Sequence, residues 1–404
     1  MADLDTPQLL ALAAQYLYPN YRQPPTVFVR GQGCDVWDRA GNRYLDFAAG
    51  VAVSSVGHAH PRYVAAISSQ VARLVHMSNY FYNEPSILLA AELCKRTRME
   101  RAFFCSSGTE ANEALLKLAR HHFFMRGQKD RFKIVAFEEA FHGRTLGALS
   151  MTGRAKYREG FGLNESAVRH VPYGDLAAVK RAMGPDVAGI IVEPIQGEGG
   201  VLPAPPGFLA GLRAIADEHG ALLLLDEVQT GIGRTGTFLA VEAHGVLPDA
   251  IALAKGLGGG FPVGAMVCRE FLSTALPPGS HGSTYGGNPL ATAAALAVLS
   301  ILDEEKLVDG ARTKGEYLGR MLRDLCAKFP DLVGPERGVG LLRAVPLLSG
   351  VDPRSVLSVL RERGLLLIMA GDSALRLCPP LVVTEAELER GISIFSDALG
   401  QLRR

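Results

Sequence analysis

Between Arg101 and Arg269 one pattern recurs: a short unbroken apolar run, a turn of glycine or small polar residues, then a stretch with apolar residues at helical spacing. The runs are Ala102-Phe103-Phe104-Cys105, Lys133-Ile134-Val135-Ala136-Phe137, Ala188-Gly189-Ile190-Ile191-Val192, Ala221-Leu222-Leu223-Leu224-Leu225, residues 250–254 and Gly264-Ala265-Met266-Val267-Cys268. A strand with one wet face alternates apolar and polar residues, whereas an uninterrupted run suits a strand covered on both faces. Helix-spaced residues 109–120 and 208–219 lie between such runs, and Gly220 supplies a helix stop. The expectation is an α/β fold with a mainly parallel sheet built from βαβ units.

At 404 residues the chain exceeds what one core usually holds, so two domains are expected. The large one is assigned to 56–300. A smaller α+β domain is assigned to 301–404 and joined by the N-terminal segment 1–55. A long helix is expected from Pro289 to Glu304, with further helices near 311–328 and 353–363. These alternate with apolar runs at 339–348, 365–369 and 374–378. Thr384-Glu385-Ala386-Glu387 has the form of a capping box and opens a final helix. Residues 36–47 read as a hairpin turning at Ala40-Gly41-Asn42.

Net charge is +1, with no basic stripe, which argues against nucleic acid or an anionic membrane as the main partner. No apolar run approaches the roughly 20 residues that span a bilayer. Met1-Ala2-Asp3-Leu4-Asp5 lacks a signal-peptide pattern. The six cysteines show no C-x-x-C spacing, so neither a metal site nor a disulfide framework is indicated. A soluble, cytoplasmic protein is expected.

Two run ends carry chemistry. The 221–225 run stops at Asp226-Glu227-Val228-Gln229, and the 250–254 run stops at Lys255, before Gly256-Leu257-Gly258-Gly259-Gly260. A lysine and an aspartate at neighbouring strand ends suit pyridoxal 5'-phosphate: the amine forms a Schiff base with its aldehyde and the carboxylate pairs with its pyridinium nitrogen. Taken alone, Asp226 is equally a solvated carboxylate at a strand end, and a lysine such as Lys255 is more often a loop lysine. Ser106-Ser107-Gly108-Thr109 sits between a run and a helix, where free N–H groups and the helix dipole bind phosphate. Taken alone it reads as an ordinary Ser/Thr cap.

Gly231-Ile232-Gly233-Arg234-Thr235-Gly236 matches the dinucleotide fingerprint and makes an NAD-dependent dehydrogenase the rival reading. Only a short stretch follows it before Gly245 and Pro248, where a substantial helix is required. Arg144, in Phe141-His142-Gly143-Arg144-Thr145, and Arg376, the only charge in an apolar stretch, are candidate carboxylate binders. A surface position for Arg144 and a snorkelling strand position for Arg376 are the alternatives. Glu198, in Gln196-Gly197-Glu198-Gly199-Gly200, is placed to neutralise such an arginine.

Together these segments resemble the class III (subgroup II) aminotransferases, and within them the acetylornithine aminotransferases. The resemblance runs from about Val29 to the final helix and rests on FFCSSGTEANEALLKLAR, FHGRT, VEPIQGEGGV, LLLLDEVQTGIGRTG, LAKGLGGGFPVGA and HGSTYGGNPLA, in that order. It implies a fold-type I enzyme that binds pyridoxal 5'-phosphate and works as a homodimer with shared active sites. It gives Lys255 the Schiff base and Asp226 the pyridinium, with Phe141 and Val228 flanking the ring. Gln229 would contact the phenolic oxygen. Gly108 and Thr109 would hold the phosphate, joined by Thr284 of the partner subunit. Arg144 would bind the donor's α-carboxylate, with Ser283 nearby. Arg376 would bind 2-oxoglutarate, and Glu198 would pair with it in the donor half-reaction. The implied reaction moves the terminal amino group of N2-acetyl-L-ornithine to 2-oxoglutarate in arginine biosynthesis.

One departure bears on the donor. Ornithine aminotransferases carry a tyrosine that reads free ornithine where this chain has Val51. Valine cannot hydrogen-bond it, which leaves N-acetylornithine, N-succinylornithine and GABA. The aromatic-rich 76–83 segment is expected at the entrance. A scaffold without catalysis is the non-enzymatic alternative, although every chemically required position is filled.

Overall fold

Alternate residues of the same apolar runs face two different cores in the computed structural model. Leu222 and Leu224 pack with Leu115 and Leu118 of the Gly108–Phe124 helix. Leu223 and Leu225 pack with Leu209, Leu212 and Ile215 of the Phe208–His219 helix. A strand buried at every position needs a helix on each side, which is why Val187–Val192 and Leu222–Asp226 carry no exposed residue. The helix-spaced residues supply those layers. Gly220 ends the Phe208–His219 helix in the left-handed conformation, as expected.

The central sheet has seven strands in the order Arg101–Cys105, Gly264–Cys268, Ala250–Leu253, Leu222–Asp226, Val187–Val192, Lys133–Phe137, Val168–Val171. All run the same way except Gly264–Cys268, which is antiparallel to both neighbours. An unbroken apolar run does not encode direction, so the sequence could not single this strand out. The fold is the mainly parallel α/β one that the runs imply.

Two further four-stranded sheets lie beside it. One joins Phe28–Gln32, Asp35–Asp38 and Arg43–Asp46 to Leu365–Leu366. The other joins Arg337–Val339, Leu342–Pro346, Ala374–Leu377 and Ile368–Ala370. The expected 36–47 hairpin is present, and Asp38 fixes its turn by accepting both Asn42 N (2.9 Å) and Asn42 Nδ2 (2.9 Å). The 365–369 run divides between the two sheets, a break that an uninterrupted apolar stretch conceals. Pro289–Glu304 is helical over the expected range, and Thr384 and Glu387 close the predicted capping box.

The structure describes residues 4–403. Met1, Ala2, Asp3 and Arg404 lie outside the described residues, and with them part of the acidic N-terminal stretch and the ends of the 1–55 and 301–404 segments. Among the described residues no helix is long and apolar enough to cross a membrane.

Candidate active site

Asp226 and Lys255 meet because their strands are parallel neighbours. Asp226 pairs with Ala252, three residues before Lys255, so both side chains emerge at the carboxyl ends of the strands, where open α/β sheets bind ligands. A cavity of about 260 Å³ lies there. Gly108, Thr109, Phe141, Arg144, Glu198, Asp226, Val228, Gln229 and Lys255 all line it, so nine of the expected site residues converge on one space.

Lys255 begins the turn after its strand with a left-handed backbone, φ +43°. Its ammonium makes no hydrogen bond or ion pair to a described residue. Burial lowers its pKa, with Glu198 opposing that shift. A half-buried, unpartnered amine of reduced basicity is a nucleophile. Residues 49–52 (Ala49, Gly50, Val51, Ala52) form a left-handed turn packed against the Lys255 turn, with φ between +45° and +66°. Three of its four residues carry a side chain, and each costs about 1–2 kcal/mol in that conformation. Val51 occupies this strained turn.

Asp226 is held as an anion receptor's counterpart. Its Oδ2 accepts Asn112 Nδ2 at 2.7 Å and His142 Nδ1 at 2.8 Å, and its Oδ1 accepts Val228 N at 3.0 Å. That leaves Oδ1 one lone pair for a donor in the cavity. Asn112 and His142 were not among the expected residues. Asn112 lies one helical turn after Gly108, on the same face, and that spacing was the available signal.

The Ser107 hydroxyl caps the helix and binds Glu110 Oε2 at 2.7 Å, so the plain capping reading holds for Ser107 and its hydroxyl is not free for a ligand. Gly108 and Thr109 face the cavity. A Cβ on Gly108 would lie 2.7 Å from Val228 Cγ1, so only glycine lets this helix start approach the Val228 wall. Thr109 Oγ1 accepts the N–H groups of Arg144 (3.0 Å) and Thr145 (3.1 Å), which ties the helix N-terminus to the Arg144 loop.

Arg376 is fully buried, and its Nη1 donates to Glu198 Oε1 at 2.6 Å and to Gln229 Oε1 at 3.0 Å. Burial pushes the Glu198 carboxyl up, but the charges of Arg376 and then Lys255 outweigh it and hold the group below the usual carboxylate range. The Gln229 carbonyl oxygen is thus engaged with Arg376. Glu193, also unforeseen, is a buried carboxylate that accepts Phe141 N at 2.9 Å and Gly197 N at 3.1 Å. It joins the aromatic wall to the loop bearing Glu198.

Ser283 and Thr284 do not reach this cavity within one chain. They line a separate surface cavity of about 870 Å³ with His76, Asn79 and Tyr80. The GIGRTG loop is no nucleotide cradle either. Its Arg234 is buried and points back to the carbonyls of Leu341 and Pro379, and a short 3-10 turn follows where a dinucleotide site needs a long helix. That geometry removes the dehydrogenase reading.

Residues 16–399 match the aminotransferase class-III family. This chain is a class-III aminotransferase. Acetylornithine aminotransferase of Myxococcus xanthus is 50% identical over 389 residues, 96% of each chain. Succinylornithine transaminase/acetylornithine aminotransferase of Pseudomonas aeruginosa is 42% identical, again over 96% of each. Among solved structures, an ornithine aminotransferase from Toxoplasma gondii, described with partial pyridoxal phosphate occupancy at its active site, superposes with a TM-score of 0.94. It is 34% identical and covers 98% of this chain and 95% of its own. Class-III membership makes the protein a fold-type I transferase.

Proposed function

We propose that this class-III aminotransferase uses pyridoxal 5'-phosphate to move the terminal amino group of N2-acetyl-L-ornithine to 2-oxoglutarate, giving N-acetyl-L-glutamate 5-semialdehyde and L-glutamate. The observation that carries the reading is the half-buried, unpartnered Lys255 amine sharing one cavity with Asp226, which keeps a free lone pair. The donor set suits the cofactor: an amine for the aldehyde, an anion for the pyridinium, and a helix N-terminus at Gly108 and Thr109 for the phosphate. Bound there, the cofactor supplies an aldehyde that exchanges amino groups and a protonated ring that stabilises negative charge at the substrate carbon.

The chain's own residues do the rest. Lys255 Nζ would act as general base on the proton of the donor's terminal carbon and then, as general acid, deliver that proton to the cofactor rather than back to the donor. Asn112, His142 and the Val228 N–H fix the Asp226 carboxylate in place, where it would face the pyridinium nitrogen. Phe141 and Val228 would flank the ring, and the Gln229 amide would contact its phenolic oxygen. Arg144 takes the donor's α-carboxylate. The neutral Arg376–Glu198 pair accepts a donor with no second anion, and 2-oxoglutarate displaces Glu198 from Arg376. Leaving Arg376 unpaired between the two steps costs several kcal/mol, on the order of 3–5.

In this reading the enzyme is a cytoplasmic homodimer, and Thr284 of the partner subunit joins the phosphate site, with Ser283 of the partner subunit near Arg144. The division into 1–55 plus 301–404 and 56–300 then separates the part that carries Arg376 from the part that holds the cofactor. The names of the M. xanthus and P. aeruginosa relatives support the acylated donor, and Val51 speaks against free ornithine.

The test is borohydride reduction of the holoenzyme followed by peptide mapping. The cofactor mass should appear on Lys255, and Lys255→Ala should lose both the label and turnover. Label on another lysine, or normal turnover by the variant, refutes the assignment.

A further inference from the structure

The Arg144 guanidinium makes no hydrogen bond or ion pair with a described residue, although its backbone N–H is pinned to Thr109. Two aromatic rings lie beside it. The guanidinium carbon lies 4.1 Å from the centroid of the Tyr157 ring and 5.4 Å from that of Phe141. The two rings stand at 89° with centroids 6.4 Å apart, so they form a corner around the cation.

We propose that Tyr157 is a positioning residue that holds Arg144 by stacking in its carboxylate-binding pose, and thereby sets the preference for amino donors that carry a carboxylate. This rests on the reading of Arg144 as the donor's carboxylate anchor. A ring engages the face of a guanidinium and leaves the N–H fork at its edge free. A carboxylate partner would hold Arg144 as firmly but would consume the donors that the substrate needs. An exposed arginine also loses much side-chain freedom on binding, and stacking takes that loss before the donor arrives.

Tyr157 is itself well anchored. It sits in the short helix Ala155–Arg158. Just before that helix, Arg154 is buried and binds Glu139 at 2.7 Å and Asp372 at 3.2 Å. Lys156 binds Asp372 at 2.9 Å. Arg158 Nη1 donates to the carbonyls of Thr152 (2.7 Å) and Gly153 (2.9 Å). The neighbour of Asp372, Gly371, donates its N–H to the Glu198 carbonyl at 2.7 Å, so the segment that steadies Tyr157 also borders the Arg376 site. The Tyr157 hydroxyl makes no hydrogen bond to a described residue. Stacking is therefore the property to test, and phenylalanine should replace tyrosine without loss.

The experiment uses holoenzyme and a matched donor pair, N-acetylornithine and N-acetyl-1,4-diaminobutane, which differ only by the α-carboxylate. Tyr157→Leu should lower kcat/KM for N-acetylornithine about five- to tenfold, through KM, and leave the carboxylate-free donor unchanged. Tyr157→Phe should match the parent enzyme with both. N-acetylnorvaline, which keeps the carboxylate and lacks the reactive amine, should bind Tyr157→Leu more weakly by the same factor in calorimetry. An equal loss for both donors would mean a merely structural role, and an equal loss in Tyr157→Phe would mean a hydroxyl contact. Either overturns the proposal. If Arg144→Ala leaves the discrimination between the two donors intact, the reading of Arg144 fails and the inference falls with it. Loss of discrimination in Arg144→Ala but not in Tyr157→Leu would refute the stacking role alone.

Discussion

Arg376 Nη1 lies 2.6 Å from Glu198 Oε1, and Glu198 lines the same cavity as Lys255, which has no acid bound to it among the described residues. The pair is asymmetric: Arg376 is buried, whereas Glu198 stands on a glycine-rich loop and is 28% exposed. In the proposed reading the arginine is the fixed member and the carboxylate is the one that gives way. On that proposal an arriving anion replaces Glu198 while Arg376 and its strand stay in place.

Arg376→Ala should therefore slow the 2-oxoglutarate half-reaction about 100-fold, the order expected for a lost charge-assisted hydrogen-bond pair, and leave the donor half-reaction within about threefold. Single-turnover measurements on each half separate the two. A selective loss in the donor half would contradict the role given to Arg376.

Gly143 has φ +136°, and a Cβ there would overlap Thr109 Oγ1, the atom that accepts Arg144 N. Gly143→Ala must displace Thr109 or the loop, a strain of about 1–3 kcal/mol. Titration of the cofactor-free protein with pyridoxal 5'-phosphate should show affinity lowered by about tenfold or more. Unchanged affinity would mean that Thr109 does not help to hold the phosphate.

Glu227 is buried beside Asp226, and desolvation pushes its pKa up from 4.5 to about 7, against the donors Thr230 Oγ1, Val241 N and Ala240 N. The raised folded-state value means that Glu227 favours the folded state below about pH 4.5, and that this contribution is lost as pH rises to 7. The stability of the parent relative to Glu227→Gln should fall by up to about 3 kcal/mol across that interval and level off above it. Chemical denaturation of both proteins at several pH values checks this. A difference that rises with pH would show that Glu227 is ionised throughout.

The residues that sequence could place are those whose position follows from a run end. Lys255 and Asp226 end adjacent apolar runs, and parallel strands bring such ends together. Arg376 stood out as the lone charge in its run. Glu193 and His142 act through contacts with residues far along the chain, and nothing in their own spacing announces those partners, whereas Asn112 had its spacing from Gly108 as a signal. The direction of Gly264–Cys268 and the split of the 365–369 run were hidden for a related reason, because burial on both faces erases alternation. Ser283 and Thr284 were legible only through family resemblance, and within one chain they lie away from Lys255.

The most direct test of the account is a half-reaction screen. Holoenzyme without 2-oxoglutarate is mixed separately with N-acetylornithine, N-succinylornithine, ornithine, GABA and lysine, and the absorbance of the lysine-bound cofactor is followed. The account predicts that N-acetylornithine discharges it fastest and that free ornithine lags well behind. Faster discharge by GABA or ornithine would contradict the proposed donor, and no discharge by any amine would contradict the proposed reaction.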